Sequence, residues 1–109
     1  LGRSKELIIH GGFNVYPPEV EAALNDHPQV IQSAVIGRVA AGDEQVLAFC
    51  QVPDGCTLTP DDLRAFVAER LAGYKRPRQI ILASSLPAAP TGKILKHRLL
   101  DTFAEQLDP

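Results

Sequence analysis

Apolar residues change their spacing several times along this chain, and each change marks an element. Leu7-Ile8-Ile9 is a short apolar run closed by Gly11-Gly12, which predicts a small strand entering a tight turn. After Tyr16, Pro17-Pro18 opens a helical pattern with Val20, Ala23 and Leu24 on one face and Glu19 and Glu21 in its first turns. Asn25 to Pro28 ends it. Val30 to Val39 and Gln45 to Val52 are β-rich, nearly continuous apolar runs on either side of Ala40-Ala41-Gly42-Asp43. They predict a hairpin whose strands are well covered.

A second helix has a clear start: Thr59 as N-cap, Pro60 at the first position, and Asp61 and Asp62 at the positive end of the helix dipole. Leu63, Phe66, Val67 and Leu71 form its buried stripe, and Gly73 is placed to terminate it. The β-prone Ile80-Ile81-Leu82, within Arg78 to Ala83, predicts a third main strand. Leu95, Leu99, Phe103 and Leu107 recur every four residues and predict a final helix with Leu100 beside the stripe. The expected fold is α+β, a small and mostly antiparallel three-stranded sheet with helices packed on it, plus a short amino-terminal two-stranded piece.

At 109 residues and 45% hydrophobic, the chain fits one domain able to bury its own core. The net charge of −2 gives no global reason to expect nucleic acid or an anionic membrane, and no run approaches the length of a membrane span. Charge distribution says more. Between Arg70 and Arg98 stand Arg70, Lys75, Arg76, Arg78, Lys93, Lys96 and Arg98, with no Asp or Glu, which predicts a local anion-attracting field. Cys50 and Cys56 lack zinc-site spacing and His10, His27 and His97 are scattered, so a reduced, cytoplasmic chain without a metal site is expected. The chain has no methionine and opens Leu1-Gly2-Arg3, which reads as part of a longer protein.

The segment with the most chemistry is Leu86-Pro87-Ala88-Ala89-Pro90-Thr91-Gly92-Lys93-Ile94-Leu95-Lys96. It is not a Walker phosphate loop, because Pro87 stands where the pattern needs glycine and Ile94 where it needs a hydroxyl. Lys93 itself is therefore the candidate, a mobile point charge with three donors on a short turn.

Four segments in order, Gly2-Arg3-Ser4-Lys5-Glu6-Leu7-Ile8-Ile9, Gly11-Gly12-Phe13-Asn14-Val15-Tyr16-Pro17-Pro18-Glu19-Val20-Glu21, Gly73-Tyr74-Lys75-Arg76-Pro77 and Pro90-Thr91-Gly92-Lys93, resemble the carboxy-terminal domain of adenylate-forming enzymes. That family includes acyl-CoA synthetases, peptide-synthetase adenylation domains and luciferases. The resemblance implies that residues 1–109 are the mobile carboxy-terminal domain of a fatty-acyl-CoA-ligase-like enzyme, inactive without its large amino-terminal domain. The implied reaction activates a carboxylic acid with ATP and Mg²⁺ to an acyl-adenylate and passes the acyl group to CoA.

By the same resemblance Lys93 is catalytic, bridging carboxylate and α-phosphate. Gly11 and Gly12 line the pantetheine channel in the second step. Arg3 contacts the adenylate and Lys5 is the hinge. Tyr74, Arg76 and Arg78 hold the CoA nucleotide. One departure is visible: relatives often carry a Trp-Gly pair in the hairpin loop, where this chain has the shorter Ala40-Ala41-Gly42-Asp43-Glu44. An adenine contact is then absent, which admits carrier-protein pantetheine as the acceptor. Pro87, Gly92 and Lys93 also fit the pattern by which lysine acetyltransferases select such ligases. The competing reading is a stand-alone α+β module that uses its basic face to bind a nucleotide or a protein partner.

Overall fold

The computed structural model describes residues 7–40 and 42–107. Ile8–His10 (β1) and Phe13–Val15 (β2) form an antiparallel pair ahead of a first helix, Pro17–Asn25 (α1). Gln32–Ala40 (β3) and Asp43–Gln51 (β4) pair antiparallel from Gln32 opposite Gln51 to Ala40 opposite Asp43. The loop between them is thus shorter than the four residues the sequence suggested: Ala40 and Asp43 are themselves paired, and Gly42 stands at φ 80°.

Pro60–Ala68 (α2) then carries the chain over one face of the sheet to Gln79–Ala83 (β5), which adds to β4 in parallel, Leu47 opposite Gln79 through Gln51 opposite Ala83. A parallel neighbour requires such a crossover, and α2 supplies it. The sheet order is β3-β4-β5, with the longer ladder antiparallel as expected.

Alternation along β4 divides the core in two. Val46, Ala48 and Cys50 pack with Val20, Leu24, Leu63, Val67 and Ile80 beneath α1 and α2, joined by Ile8 and Val15 of the small pair. Leu47 and Phe49 point the other way, into a cluster with Ala34, Ile81, Leu86, Leu99 and Phe103. Two-sided burial is the physical reason that β3 and β4 read as nearly unbroken apolar runs.

Thr59 caps α2 as its sequence promised: its hydroxyl accepts from the Asp62 amide at 3.1 Å and its own amide donates to the Asp62 carboxylate at 3.1 Å. The other end differs from expectation. α2 stops at Ala68, and Gly73 instead opens a 3₁₀ turn, Gly73–Lys75, without a left-handed backbone. Arg76 replaces the glycine cap, donating from its guanidinium to Ala68 O at 2.8 Å and Leu71 O at 3.0 Å.

The final helix is also shorter than its leucine spacing suggests. Leu95 belongs to the preceding turn, with φ −90° and ψ 87°, so helical structure starts with a 3₁₀ turn, Lys96–Arg98, and continues as Leu99–Thr102 (α3). At Phe103 the backbone leaves the helix, and the ring lies 5.5 Å from that of Phe49. The stripe is buried as expected at Leu99 and Phe103, although it reaches the sheet through turns rather than one long helix.

Candidate functional site

Lys93 is held by a narrow turn tied at three points. The Gly92 amide donates to Ala89 O at 2.8 Å, Ala89 N donates to Lys93 O at 2.9 Å, and Leu95 N donates to Pro87 O at 2.9 Å. Gly92 sits at φ 92°, a backbone conformation that explains the glycine before the lysine. The Lys93 side chain is exposed and, among the described residues, its ammonium has no hydrogen-bond or ion-pair partner. It borders an open groove of about 510 Å³ that Glu21, Ser33, Lys96 and His97 also line.

Gly11 and Gly12 make the two-residue turn of the β1–β2 hairpin, at φ 57° and 84°, between paired His10 and Phe13. Two consecutive left-handed residues are what such a hairpin requires. Nothing lies within 4 Å of a side-chain carbon added at either glycine, so the space above the turn is open. The turn rests on the tip of the main hairpin, where Gly11 N donates to Asp43 Oδ1 at 3.0 Å. That bond, with a smaller contribution from His10, holds the Asp43 carboxyl below the usual aspartate range.

The two turns occupy opposite ends of the sheet. The Lys93 groove includes Ser33 near the start of β3, whereas the glycine turn contacts Asp43, the partner of Ala40 at the end of β3. Those positions are separated by roughly 23 Å at the usual rise of a strand.

Tyr74, Arg76 and Arg78 do not form one unit. Arg76 and Arg78 line a concavity of about 410 Å³ with His10, Asp43 and Gln45, close to the glycine turn. Arg76, however, spends its guanidinium on the end of α2. Tyr74 stacks on Phe13 with ring centroids 4.5 Å apart, so one face of its ring is already covered. The sequence carried no signal for that pairing. Arg3 and Lys5 lie outside the described residues.

The basic stretch is less exposed as charge than its sequence implied, because the acids that answer it come from α1 and from Asp26 just after it. Arg70 approaches Asp26 at 3.8 Å, Lys75 meets Glu19 at 2.8 Å and Lys96 meets Glu21 at 2.8 Å. The bond to Glu19 raises the Lys75 pKa. Lys96 is half-buried in this pair, and Glu21 also accepts from Val35 N at 2.8 Å. Among the described residues this leaves Lys93, Arg78 and Arg98 as the cations of the stretch whose side chains have no polar partner. No group of three or more His, Cys, Asp or Glu stands together as a metal site among the described residues. None of the helices described is long and apolar enough to cross a membrane.

Residues 19–93 match the model of the AMP-binding enzyme C-terminal domain. This chain belongs to that family. It is 37% identical to a mitochondrial medium-chain acyl-CoA ligase of Danio rerio, over 97% of this chain and 18% of the relative. With a 4-coumarate–CoA ligase of Oryza sativa it shares 38% identity, over 91% of this chain and 18% of the relative. Apo MatB from Rhodopseudomonas palustris superimposes with a TM-score of 0.85 at 37% identity, covering 99% of this chain and 22% of MatB. A fatty acyl CoA synthetase of Mycobacterium tuberculosis gives 0.82 at 34% identity, over 94% of this chain and 20% of that one. The AMP-binding C-terminal domain thus spans about a fifth of the length of the relatives it matches.

Proposed function

We propose that residues 1–109 are the mobile carboxy-terminal domain of an AMP-forming acid–thiol ligase, closing on a larger amino-terminal domain. In the first half-reaction a carboxylate must approach an ATP α-phosphate that gains negative charge in its transition state. Lys93 places its ammonium between the two anions and offsets both repulsions. One preorganised donor of this kind is worth about 10²- to 10³-fold in rate. In the second half-reaction the domain turns its other end inward, and the Gly11–Gly12 backbone lines the passage for a pantetheine thiol. Lys5 serves as hinge and Arg3 as a contact to the adenylate.

The observation that carries this reading is the separation of an unpaired ammonium and an open glycine turn toward opposite ends of the three-stranded sheet. A single orientation cannot present both to one active site. Arg78, without a polar partner beside the glycine turn, is the better placed of the two arginines for the phosphates of CoA. Arg76 and the stacked Tyr74 contribute there through the shape of the concavity. The tight β3–β4 loop leaves carrier-protein pantetheine as a second acceptor. Mg²⁺ is assigned to the amino-terminal domain, given that no carboxylate cluster is found among the described residues.

Relatives named for medium-chain acyl groups and for coumarate share similar identity with this chain, so a fatty acid as substrate is a proposal about the amino-terminal domain. Two free thiols support a reducing cytoplasm. The exposed Lys93 is also open to a lysine acetyltransferase, and acetylation there would remove the charge while sparing the fold.

The test uses the full-length protein and measures each half-reaction. Lys93→Ala is expected to abolish acid-dependent pyrophosphate release while retaining thioester formation from supplied acyl-adenylate. Gly12→Leu should do the reverse. Because Leu also strains a residue at φ 84°, Gly12→Asn, which tolerates that backbone, separates an occupied passage from a broken turn. Equal loss of both half-reactions in Lys93→Ala, or full transfer in both Gly12 variants, would refute the division of labour.

A further inference from the structure

A hairpin of two three-residue strands is marginal alone, so the position of its turn is set by whatever it is tied to. Ile8 and Val15 bury one end. At the other end Phe13 stacks on Tyr74, which leaves the Ile9–Gly11 side of the turn to polar ties. There three consecutive residues are bonded to the tip of the main hairpin, more than thirty positions away. Ile9 N donates to Glu44 Oε1 at 2.7 Å, His10 Nδ1 lies 2.7 Å from Glu44 O, and Gly11 N donates to Asp43 Oδ1 at 3.0 Å. Glu44 O only accepts, so His10 Nδ1 carries a proton, and the same nitrogen stands 3.1 Å from Asp43 Oδ2. The Asp43 carboxylate therefore bridges the turn amide and the imidazole.

From this geometry we infer that Asp43 is a positioning residue for thiol transfer, with His10 and Glu44 as its supports: its carboxylate fixes the height and orientation of the glycine turn. The inference rests on the proposed role of that turn. It explains why a compact hairpin tip ending Gly42-Asp43-Glu44 matters in a chain without the longer loop: both acids are spent on backbone amides of β1 and its turn. Chemistry requires reacting atoms held to within a fraction of an ångström, and a displacement of about 1 Å from a remote change costs up to about 10²-fold. With two of three tethers kept, Asp43→Ala should lose roughly tenfold in transfer rate.

The experiment compares Asp43→Ala, Asp43→Asn and Gly12→Asn in the full-length enzyme, reading adenylation by pyrophosphate release, transfer by thioester formation in single turnover, and thiol KM separately from kcat. Asp43→Asn keeps an oxygen that accepts from Gly11 N but has no charge. Expected is a transfer kcat about tenfold lower in Asp43→Ala, near wild type in Asp43→Asn, with adenylation within about twofold throughout. Equal defects in Ala and Asn would assign the effect to the lost charge beside Arg78 and overturn the positioning role, as would wild-type transfer by Asp43→Ala while Gly12→Asn is slow. Unimpaired transfer by Gly12→Asn would instead remove the reading on which the inference stands.

Discussion

Gly37 lies on β3 where the small hairpin crosses the main one, and adding a single methyl group there tests how tightly they are packed. Its φ is outside the left-handed region, so alanine meets no backbone strain. The obstacle is spatial. A side-chain carbon at Gly37 would stand 3.0 Å from Glu44 Oε2, 3.0 Å from Ile8 Cγ1 and 3.2 Å from Ile8 Cγ2. Ile8 is 3% exposed and has no room to retreat, while Glu44 is bonded through its other oxygen to Ile9 N. Overpacking of this kind costs about 1–3 kcal/mol. Replacing glycine also narrows the unfolded ensemble, which returns about 0.4–1 kcal/mol. The net expectation for Gly37→Ala is a loss of about 1 kcal/mol, near 4 °C in the midpoint for a domain of this size.

Urea unfolding of the 109-residue chain, followed by circular dichroism, measures this directly: the midpoint should fall while the slope stays unchanged. A double-mutant cycle with Ile8→Ala locates the cause. Without the isoleucine γ-carbons, Gly37→Ala should become neutral or stabilising, giving a coupling of about 1 kcal/mol. An unchanged or higher midpoint in the single variant would refute the packing argument, and an additive cycle would show that Ile8 is not the obstacle. The consequence for function follows from the same contacts. Pushing β1 away from β3 strains the Glu44–Ile9 bond, so in the full-length enzyme Gly37→Ala should slow thiol transfer more than adenylation.

Arg76→Ala removes both guanidinium bonds from the end of α2 and should lower the thermal midpoint by about 4 °C, for about 1 kcal/mol of capping; a raised thiol KM at unchanged midpoint would mean that Arg76 serves the nucleotide instead. Burial pushes the Cys50 thiol up to about 12 from 9.0, so at pH 8 only about one molecule in 10⁴ carries the thiolate. Ellman's reagent should modify Cys56 in the native chain and both thiols after unfolding, and rapid native labelling of Cys50 would contradict its burial. The same shift has a sign in alkali. Between 9 and about 12 the unfolded chain has released the thiol proton and the folded chain has not, so this contribution is intact below 9 and is lost as pH rises toward 12. Cys50→Ala should make that alkaline decline shallower.

What could be read from the residues alone divides along the line between local and distant causes. Thr59 with Asp62, Pro17 with Pro18, and Gly11 with Gly12 act within a few positions, and each produced the cap, helix start or turn that its chemistry specifies. Ile80-Ile81-Leu82 announced a strand but not its direction, because an apolar run has the same character beside either neighbour; the α2 crossover decides that it lies parallel to β4. Leucines every four residues required a buried stripe and left open the backbone that delivers it.

The site follows the same division. The turn that carries Lys93 was legible because the bonds that close it span only a few residues. The basic stretch around it misled, since Glu19, Glu21 and Asp26 lie between 44 and 75 residues from the lysines and arginine they answer and only packing of α1 brings them near. Pairing of this kind does more than neutralise: by engaging Lys75 and Lys96 with α1 it leaves the Lys93 ammonium distinct from these lysines, free to meet the anions of the proposed reaction. A uniformly unpaired basic face would attract anions over its whole width. Here the fold leaves that attraction to Lys93, Arg98 and Arg78, and of these Lys93 stands on the turn where the proposed chemistry needs it.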